Sequence, residues 1–172
     1  AKTRANPAYG KPGWTRDCGK RFHRGVDIAP IRPLPTGEFT SVMFSDCEAG
    51  TEYESSEPTW TVDEEIFAVT AGVIEQINTL PDATTLGCYV VIRHRWPASG
   101  ASFVTLYAHL AAVEVKAGEI VNAGQVIGHM GQTSSSSDAR NWMAIAPHLH
   151  FEALDASMES YNPVDFLTRY LR

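Results

Sequence analysis

The sequence has no excess of positive charge and no long apolar run. Its 172 residues include 14 Lys and Arg against 20 Asp and Glu, a formal net charge of −6. A basic surface that would bind nucleic acid or anionic lipid is therefore not expected. A membrane-spanning helix needs about 20 consecutive apolar residues, and polar residues interrupt every apolar run of this sequence after a few positions. We predict no nucleic-acid partner and no membrane span.

Cysteine is scarce as well. The sequence has Cys18, Cys47 and Cys88, which permit one disulfide in any of three pairings, or three reduced thiols. No two of them have the two-to-four-residue spacing of a cysteine zinc site, so a site of that kind is excluded. The chain begins at Ala1 without a signal-peptide pattern, and we therefore expect that a leader was removed or that the chain was cut.

The 3.6-residue apolar period of amphipathic helices is also nearly absent. Four segments rich in β-branched and apolar residues predict strands instead, at residues 66–77, 88–94, 103–110 and 148–154. Near the C-terminus, Asn162 followed by Pro163 is typical of a helix start, and Phe166 and Leu167 give that segment an apolar side. The sequence predicts a mainly β protein with a short C-terminal helix.

Two short motifs carry side chains that suit a metal ion. In HLHFE, His148 and His150 are two residues apart, so on a strand both imidazoles leave the same face. In HRGVDIAP, His23 and Asp27 flank Gly25, and on a strand the missing side chain between them leaves room for an ion. Each motif alone is common on exposed strands. Together they offer two imidazoles and a carboxylate, which suits zinc and leaves a fourth position for water.

Other histidines are assigned by their neighbours in the sequence. His109 ends the apolar strand segment YAHL, and a zinc hydrolase without an HExxH helix needs such a group to stabilise a developing oxyanion. Tyr107, two residues earlier, is expected on the same side of the strand. His94 is predicted to make a structural hydrogen bond at a strand end, and His129 to lie in a surface turn.

The order of these motifs resembles the lysostaphin and LytM type of zinc metalloendopeptidase, which cleaves peptide cross-links in bacterial peptidoglycan. The motifs that carry the resemblance are HRGVDI, YAHL, VKAGEIVNAGQVIGHMG and HLHFE, and it covers about residues 21–30, 66–131 and 147–168. It implies a mostly antiparallel β fold of the barrel-sandwich or duplicated hybrid type, with an open substrate groove.

The resemblance also implies roles for individual residues. The ligands of one Zn²⁺ would be His23, Asp27 and His150. We expect His148 to take or orient the proton of the attacking water, and His109 to hydrogen-bond the oxyanion and to protonate the leaving amine. Tyr107 and Glu152 are expected beside these groups, in contact with substrate or holding a ligand in place, with Glu152 as an alternative base.

Two segments depart from the family pattern. We predict a single peptidase domain over residues 1–172 with insertions at about 31–65 and 132–147. The first insertion has nine acidic residues and one basic residue, a net −8, which leaves +2 for the rest of the chain. Both flank ligand motifs and are expected to form walls of the groove, the alternative being that they pack away from it. A disulfide between Cys18 and Cys47 would anchor the first insertion.

The leading functional prediction is an active zinc endopeptidase that acts on peptidoglycan peptides and is secreted, periplasmic or held in the cell envelope. The alternative is a catalytically silent relative that binds a partner or a glycan. Silent relatives usually lack a ligand or the histidine of YAHL, whereas this chain keeps all five positions. A biotinyl or lipoyl carrier is disfavoured because Lys116 lies in VKAG and not beside Met or Asp. The sequence predicts neither the bond cleaved nor the oligomeric state.

Overall fold

The computed structural model describes residues 11–16, 21–28, 32–33, 39–40, 64–135 and 148–170. Within these ranges the strands are β1 (Gly13–Arg16), β2 (Arg21–His23), β3 (Val26–Ile28), β4 (Arg32–Pro33), β5 (Phe39–Thr40), β6 (Glu65–Phe67), β7 (Gly72–Asn78), β8 (Cys88–Arg95), β9 (Ser102–Val113), β10 (Ile120–Val121), β11 (Val126–Met130) and β12 (Leu149–Asp155). One helix, α1, spans Pro163–Tyr170. The prediction of a mainly β protein with a short C-terminal helix is confirmed.

Eight of the strands form one antiparallel sheet that branches at β9. One edge of β9 pairs with β8 through residues 102–110. The other edge pairs with β12 through residues 103–108 and then with β11 through residues 110–113. Beyond these, β7 and β10 extend the sheet from β8, β6 extends it from β11, and β3 pairs with β12. The antiparallel prediction is confirmed, but among the described strands the sheet does not close into a barrel.

The hydrophobic core is built by alternate side chains of the central strands. Its fully buried members include Ile74, Val90, Ile92, Phe103, Leu110, Val121 and Ile127. Removing a side chain of this size from water contributes about 1.5–3 kcal/mol. Helix α1 covers one end of this core with Phe166, whose ring centroid lies 5.5 Å from that of Phe103.

Helix α1 begins where the sequence predicts it. The Oδ1 atom of Asn162 accepts the backbone N–H of Val164 at 3.0 Å and that of Asp165 at 3.3 Å. These bonds satisfy N–H groups that have no partner within the helix, as an N-cap does. Pro163 has no N–H to satisfy and occupies the first helical position.

Two Ala-Gly pairs of the sequence form the same turn twice. Gly118 and Gly124 have positive φ angles of 84° and 75°, a conformation that glycine adopts without strain. Gly118 donates its N–H to the carbonyl of Ile74 and Gly124 donates to that of Ala68, both at 2.8 Å. The carbonyl of the residue after each glycine accepts the backbone N–H of the same partner: Glu119 accepts from Ile74 at 2.8 Å, and Gln125 accepts from Ala68 at 2.9 Å. The two turns dock on the sheet as a structural repeat.

The segment predicted as one strand over 66–77 is two strands, β6 and β7. Ala68 leaves the ladder because its backbone bonds go to the second of the repeated turns. The carbonyl of Ala71 accepts the ring N–H of His94 at 2.9 Å instead of pairing with a neighbouring strand. The strands predicted over 88–94, 103–110 and 148–154 are present as β8, β9 and β12, with ends that differ by up to three residues.

His94 and His129 lie away from the ligand motifs, as predicted, although one prediction about them is wrong. His94 is buried, lies 2.7 Å from the Oγ1 atom of Thr105 through Nε2, and stacks on Phe103. Burial lowers the pKa of His94, so its role is structural. His129 is not in a turn: it lies in β11, with Nε2 2.7 Å from a carboxylate oxygen of Glu114.

Cys88 is buried and forms no disulfide, and burial raises the pKa of its thiol. The predicted partners Cys18 and Cys47 lie outside the described residues, as do most of the predicted insertions at 31–65 and 132–147. In the described part of the chain, no helix has the length and apolar character needed to cross a membrane.

Candidate metal centre and active site

The first two candidate ligands lie on either side of a break in the chain. β2 ends at His23 and β3 begins at Val26, so the predicted single strand over both ligands is interrupted. β3 pairs with β12 in a register that places Asp27 directly opposite His150. Residues directly opposite on an antiparallel ladder have side chains about 5 Å apart at Cβ, which suits two ligands of one ion.

Three ligand atoms meet at this point of the sheet. His150 Nδ1 lies 3.0 Å from Asp27 Oδ1, His23 Nε2 lies 3.1 Å from His150 Nδ1, and His23 Nε2 lies 3.2 Å from Asp27 Oδ1. The side chains of His23, Asp27 and His150 are 6%, 7% and 9% exposed. Tetrahedral zinc with bonds of about 2.0 Å separates its ligand atoms by about 3.3 Å. The three atoms therefore fit one face of a tetrahedral zinc site.

The far side of each candidate imidazole ligand is held by a hydrogen-bond acceptor. His23 donates its Nδ1 proton to the backbone carbonyl of Lys11 at 2.9 Å, which leaves the Nε2 lone pair available to an ion. His150 Nε2 lies 2.9 Å from Oε1 of the buried Glu152. A carboxylate behind a ligand imidazole is a common arrangement in metal sites because it fixes the ring and raises its basicity. The structure thus places Glu152 behind a candidate ligand.

Without a metal, the His150 imidazole holds a proton where an ion would bind. Burial alone lowers its pKa, but hydrogen bonds with Asp27 and Glu152, and the charges of these carboxylates, raise the pKa to about 9. The protonated ring donates one N–H to each carboxylate. A cation that coordinates Nδ1 displaces one of these protons, so this donor set couples metal binding to proton release.

Gly25 has a different role from the one that its position in the sequence indicates. A Cβ atom at Gly25 would lie 2.6 Å from Cε1 of His150 and 2.6 Å from the carbonyl oxygen of Phe151. The space attributed to an ion is therefore filled by the imidazole of His150. Glycine is required here because a strand distant in sequence approaches closely.

His109 reaches the site because β9 contains a bulge. His109 has a φ of 62°, and between Tyr107 and Leu110 the strand carries one residue more than the facing part of β8. Tyr107 and Leu110 consequently share the core face, which regular alternation forbids. His109 is turned to the opposite face, where its ring centroid lies 4.8 Å from that of His148 and 5.8 Å from that of His150.

The tautomer of His109 follows from its backbone partner. His109 donates Nδ1–H to the carbonyl oxygen of Thr133 at 2.8 Å, because a carbonyl can only accept. Burial and the nearby imidazole of His148 lower the pKa of His109 to about 3, so the ring is neutral near neutral pH. A neutral ring with a proton on Nδ1 has a lone pair on Nε2. Sequence reasoning did not find Thr133, since a backbone carbonyl partner has no residue-type signature.

His148 lies between the ligand group and His109. Its backbone N–H donates to the carbonyl of Gly131 at 3.0 Å, across the isolated bridge that joins the end of β11 to the start of β12. Its ring Nε2 lies 3.9 Å from Oδ1 of Asp27. The structure thus brings both predicted catalytic imidazoles beside the three candidate ligands.

Tyr107 does not share the side of His109, and that prediction is wrong. Tyr107 is 2% exposed, and its ring packs against Phe151 in the core. Its hydroxyl oxygen accepts the backbone N–H of Val69 at 3.0 Å and lies 3.3 Å from the hydroxyl of Thr105. Burial raises the pKa of Tyr107 to about 12, so the phenol stays neutral.

An apolar pocket of about 270 Å³ lies on this other face of the sheet. Its walls include Phe67, Tyr107, Phe151 and Leu167, and none of the predicted ligand or catalytic residues lines it. The pocket is therefore separate from the imidazole cluster, which is formed by His23, His109, His148 and His150.

Comparison with known proteins agrees with this geometry. The sequence model of Peptidase family M23 matches residues 50–163, well over half of the chain. The chain belongs to peptidase family M23. The matched range contains His109, His148 and His150, whereas His23 and Asp27 precede it. For these two residues, the convergence of ligand atoms in the M23 fold is an independent observation.

Relatives of this M23 domain include two endopeptidases. It is 36% identical over 83 residues to the peptidoglycan DD-endopeptidase ShyA of Vibrio cholerae, which covers 48% of this chain and 16% of that protein. It is 39% identical over 64 residues to the glycyl-glycine endopeptidase ALE-1 of Staphylococcus capitis, which covers 36% of this chain and 16% of the relative. The chain thus spans about a sixth of the length of these relatives.

The fold of this M23 domain is that of lysostaphin. The catalytic domain of the antimicrobial peptidase lysostaphin from Staphylococcus simulans superimposes with a TM-score of 0.55 at 22% identity, covering 93% of this chain and 90% of that one. This similarity confirms the predicted lysostaphin-like architecture.

The contact at Gly25 predicts the effect of adding one methyl group there. We expect Gly25→Ala to weaken zinc binding by about tenfold to a hundredfold, because the Cβ displaces the His150 ring. Zinc affinity measured by competition with a chelator tests this. Gly100→Ala is the control, since its φ of 68° is strained but no heavy atom lies within 4 Å of the added Cβ. Equal zinc affinity in both variants would contradict the assignment.

A substitution at Tyr107 distinguishes a structural role of this residue from contact with substrate. Tyr107→Phe leaves the N–H of Val69 without its acceptor, so we expect the free energy of unfolding to fall by about 1–3 kcal/mol. Zinc content and kcat/KM for peptide hydrolysis should not change. Tyr89→Phe is a matched control with a smaller loss, because its partner is the exposed side chain of Gln76, which water can solvate. A lower kcat/KM in Tyr107→Phe at unchanged stability would support the substrate role instead.

Proposed function

We propose that this M23 domain is a zinc-dependent endopeptidase that hydrolyses peptide bonds in bacterial peptidoglycan. The observation that carries the proposal is the convergence of three ligand atoms, those of His23, Asp27 and His150, with two further imidazoles beside them. The relatives ShyA, a peptidoglycan DD-endopeptidase, and ALE-1, a glycyl-glycine endopeptidase, support a peptide of the cell wall as the substrate class. With such a substrate, the proposed location is outside the cytoplasm, as a secreted, periplasmic or envelope protein.

The proposed cofactor is one Zn²⁺ held by His23, Asp27 and His150. When bound, zinc would polarise the scissile carbonyl and would lower the pKa of the attacking water to about 7. The protein keeps the two imidazole ligands oriented through the Lys11 carbonyl and the Glu152 carboxylate. Because Glu152 is engaged behind His150, we propose that it supports this ligand and does not act as the base.

The tautomer of His109 changes the roles expected for the two catalytic histidines. As a donor to the oxyanion, His109 would need a proton on Nε2, and its hydrogen bond to Thr133 leaves a lone pair there. We assign proton acceptance from the attacking water to His109. The imidazolium formed in this way would donate the proton to the leaving amine. We then assign the hydrogen bond to the oxyanion to His148.

The proposed domain is single and contains both insertions. The family match extends over residues 50–163. The central sheet joins β3 to the strands β6 to β12. The segment 31–65 follows β3, which carries Asp27, and the segment 132–147 precedes β12, which carries His150; this supports walls of a substrate groove. No role for nucleic acid is proposed.

The ligand assignment predicts which histidines retain zinc. We expect His150→Ala to lose zinc, from about one ion per chain to near none, since it removes one of three protein ligands. Elemental analysis of the purified protein measures this. His129→Ala is the control, because its imidazole lies on β11 and pairs with Glu114, away from the ligand group. Full zinc occupancy in His150→Ala would remove His150 from the ligand set.

The proposed activity is tested by digesting muropeptides of known cross-link and detecting the products by mass. We expect products in which one peptide bond has gained a water, and their masses identify the bond. His109→Ala should keep its zinc and lose about 10²–10⁴-fold in kcat, as expected when a proton-transfer group is removed. Undiminished hydrolysis by this variant would refute its role. Binding of muropeptides by the zinc-loaded wild type without any cleavage would favour the catalytically silent alternative.

A further inference from the structure

The backbone carbonyl that orients His109 belongs to a residue whose own side chain is fixed. Thr133 follows β11 in the chain, and its Oγ1 atom donates to the carbonyl of Leu110 at 2.8 Å. The same oxygen accepts the backbone N–H of Cys88 at 2.9 Å. The hydroxyl therefore bridges β8 and β9 next to the bulge that contains His109. We propose that Thr133 is a positioning residue whose clamped carbonyl holds the imidazole of His109 with Nε2 facing the candidate active site.

Gly87 also constrains the position of the Thr133 carbonyl. Gly87 has a φ of +61°, and a Cβ atom there would lie 2.2 Å from the carbonyl oxygen of Thr133. Only glycine permits this approach. Thr133 is thus fixed by its hydroxyl bonds to Cys88 and Leu110 and by its contact with Gly87. None of these contacts involves a candidate zinc ligand.

The backbone conformation of His109 requires contacts that hold it in place. A left-handed conformation is unfavourable for a non-glycine residue and persists only where surrounding contacts hold it. Here the N–H of His109 donates to the carbonyl of Leu86 at 2.9 Å, and Nδ1–H donates to Thr133. A neutral imidazole has two tautomers, and the carbonyl of Thr133 selects the one with a proton on Nδ1. Removal of the hydrogen-bond partner of a ligand imidazole in a metal site typically changes activity by about tenfold to a hundredfold, and we expect an effect of that size for His109.

The inference rests on the proposed function for the catalytic role of His109, but the tautomer can be measured without turnover. Nitrogen-15 NMR of the purified protein near neutral pH distinguishes a protonated Nδ1 from a protonated Nε2. We expect the Nδ1–H form alone in the wild type and in Thr133→Ser, which keeps the hydroxyl. Thr133→Val, of similar shape, removes both hydroxyl bonds and should show a mixture of the two tautomers.

Kinetics supply the second measurement. We expect Thr133→Val to lower kcat by about tenfold to a hundredfold while KM changes less than about twofold and zinc content stays unchanged. Thr133→Ser should restore kcat to within about threefold of the wild type. Thr168→Val is the matched control: it removes a hydroxyl in helix α1 that donates to the carbonyl of Asp165 at 3.0 Å, and it should leave the tautomer and kcat unchanged.

The outcomes separate this inference from the proposed function. Wild-type tautomer and wild-type kcat in Thr133→Val would overturn the role of Thr133. A wild type that cleaves no peptide would refute the proposed function, and the NMR comparison would still decide whether Thr133 sets the tautomer. If Thr133→Val does not fold, Gly87→Ala decides instead, because its Cβ displaces the carbonyl and the Oγ1 atom of Thr133 without removing the hydroxyl group. An unchanged tautomer in Gly87→Ala would then count against the proposal.

Discussion

A left-handed backbone conformation at His109 determines which face of β9 contributes to the site. With regular alternation His109 would point into the core beside Tyr107, and the imidazole cluster would lose a member. The extra residue at this bulge also lies where β12 ends its pairing with β9 and β11 begins. The branching of the sheet and the composition of the site therefore depend on the same strained residue, which its hydrogen bonds to Leu86 and Thr133 hold in place.

The candidate ligands are assembled by a different principle. His23 and Asp27 are close in sequence, but neither is near His150 until β3 pairs with β12. The register of this pairing decides the outcome, since a slip by one residue would turn Asp27 to the other face. Gly25 adds a steric condition, because the His150 ring occupies the space that a side chain would take. The register of β3 on β12 and the absence of a side chain at Gly25 together bring the three candidate ligand atoms close to one another. Electrostatic attraction then favours a cation between them.

Features that follow from local periodicity were predictable from the sequence. Strand alternation correctly placed His148 and His150 on one face, and the Asn162 cap correctly located α1. Where long-range contacts override local pattern, prediction failed. The side of Tyr107 depends on a bulge without a glycine to signal it, and the break within residues 66–77 arises because the turn at Gly124 takes the backbone bonds of the strand. The role of Gly25 required knowledge of a partner 125 positions away.

The pairing of β3 with β12 extends over only three residue pairs, so the N-terminal ligand segment has few hydrogen bonds to the rest of the sheet. A cation bound by His23, Asp27 and His150 is a cross-link between chain positions 123 and 127 residues apart. The unfolded chain cannot hold that arrangement, so the free energy of ion binding adds directly to the stability of the folded form. Metal affinity and the attachment of the N-terminal strands are, in thermodynamic terms, linked quantities. The concentration of free metal would then set how firmly the N-terminal strands are attached to the sheet.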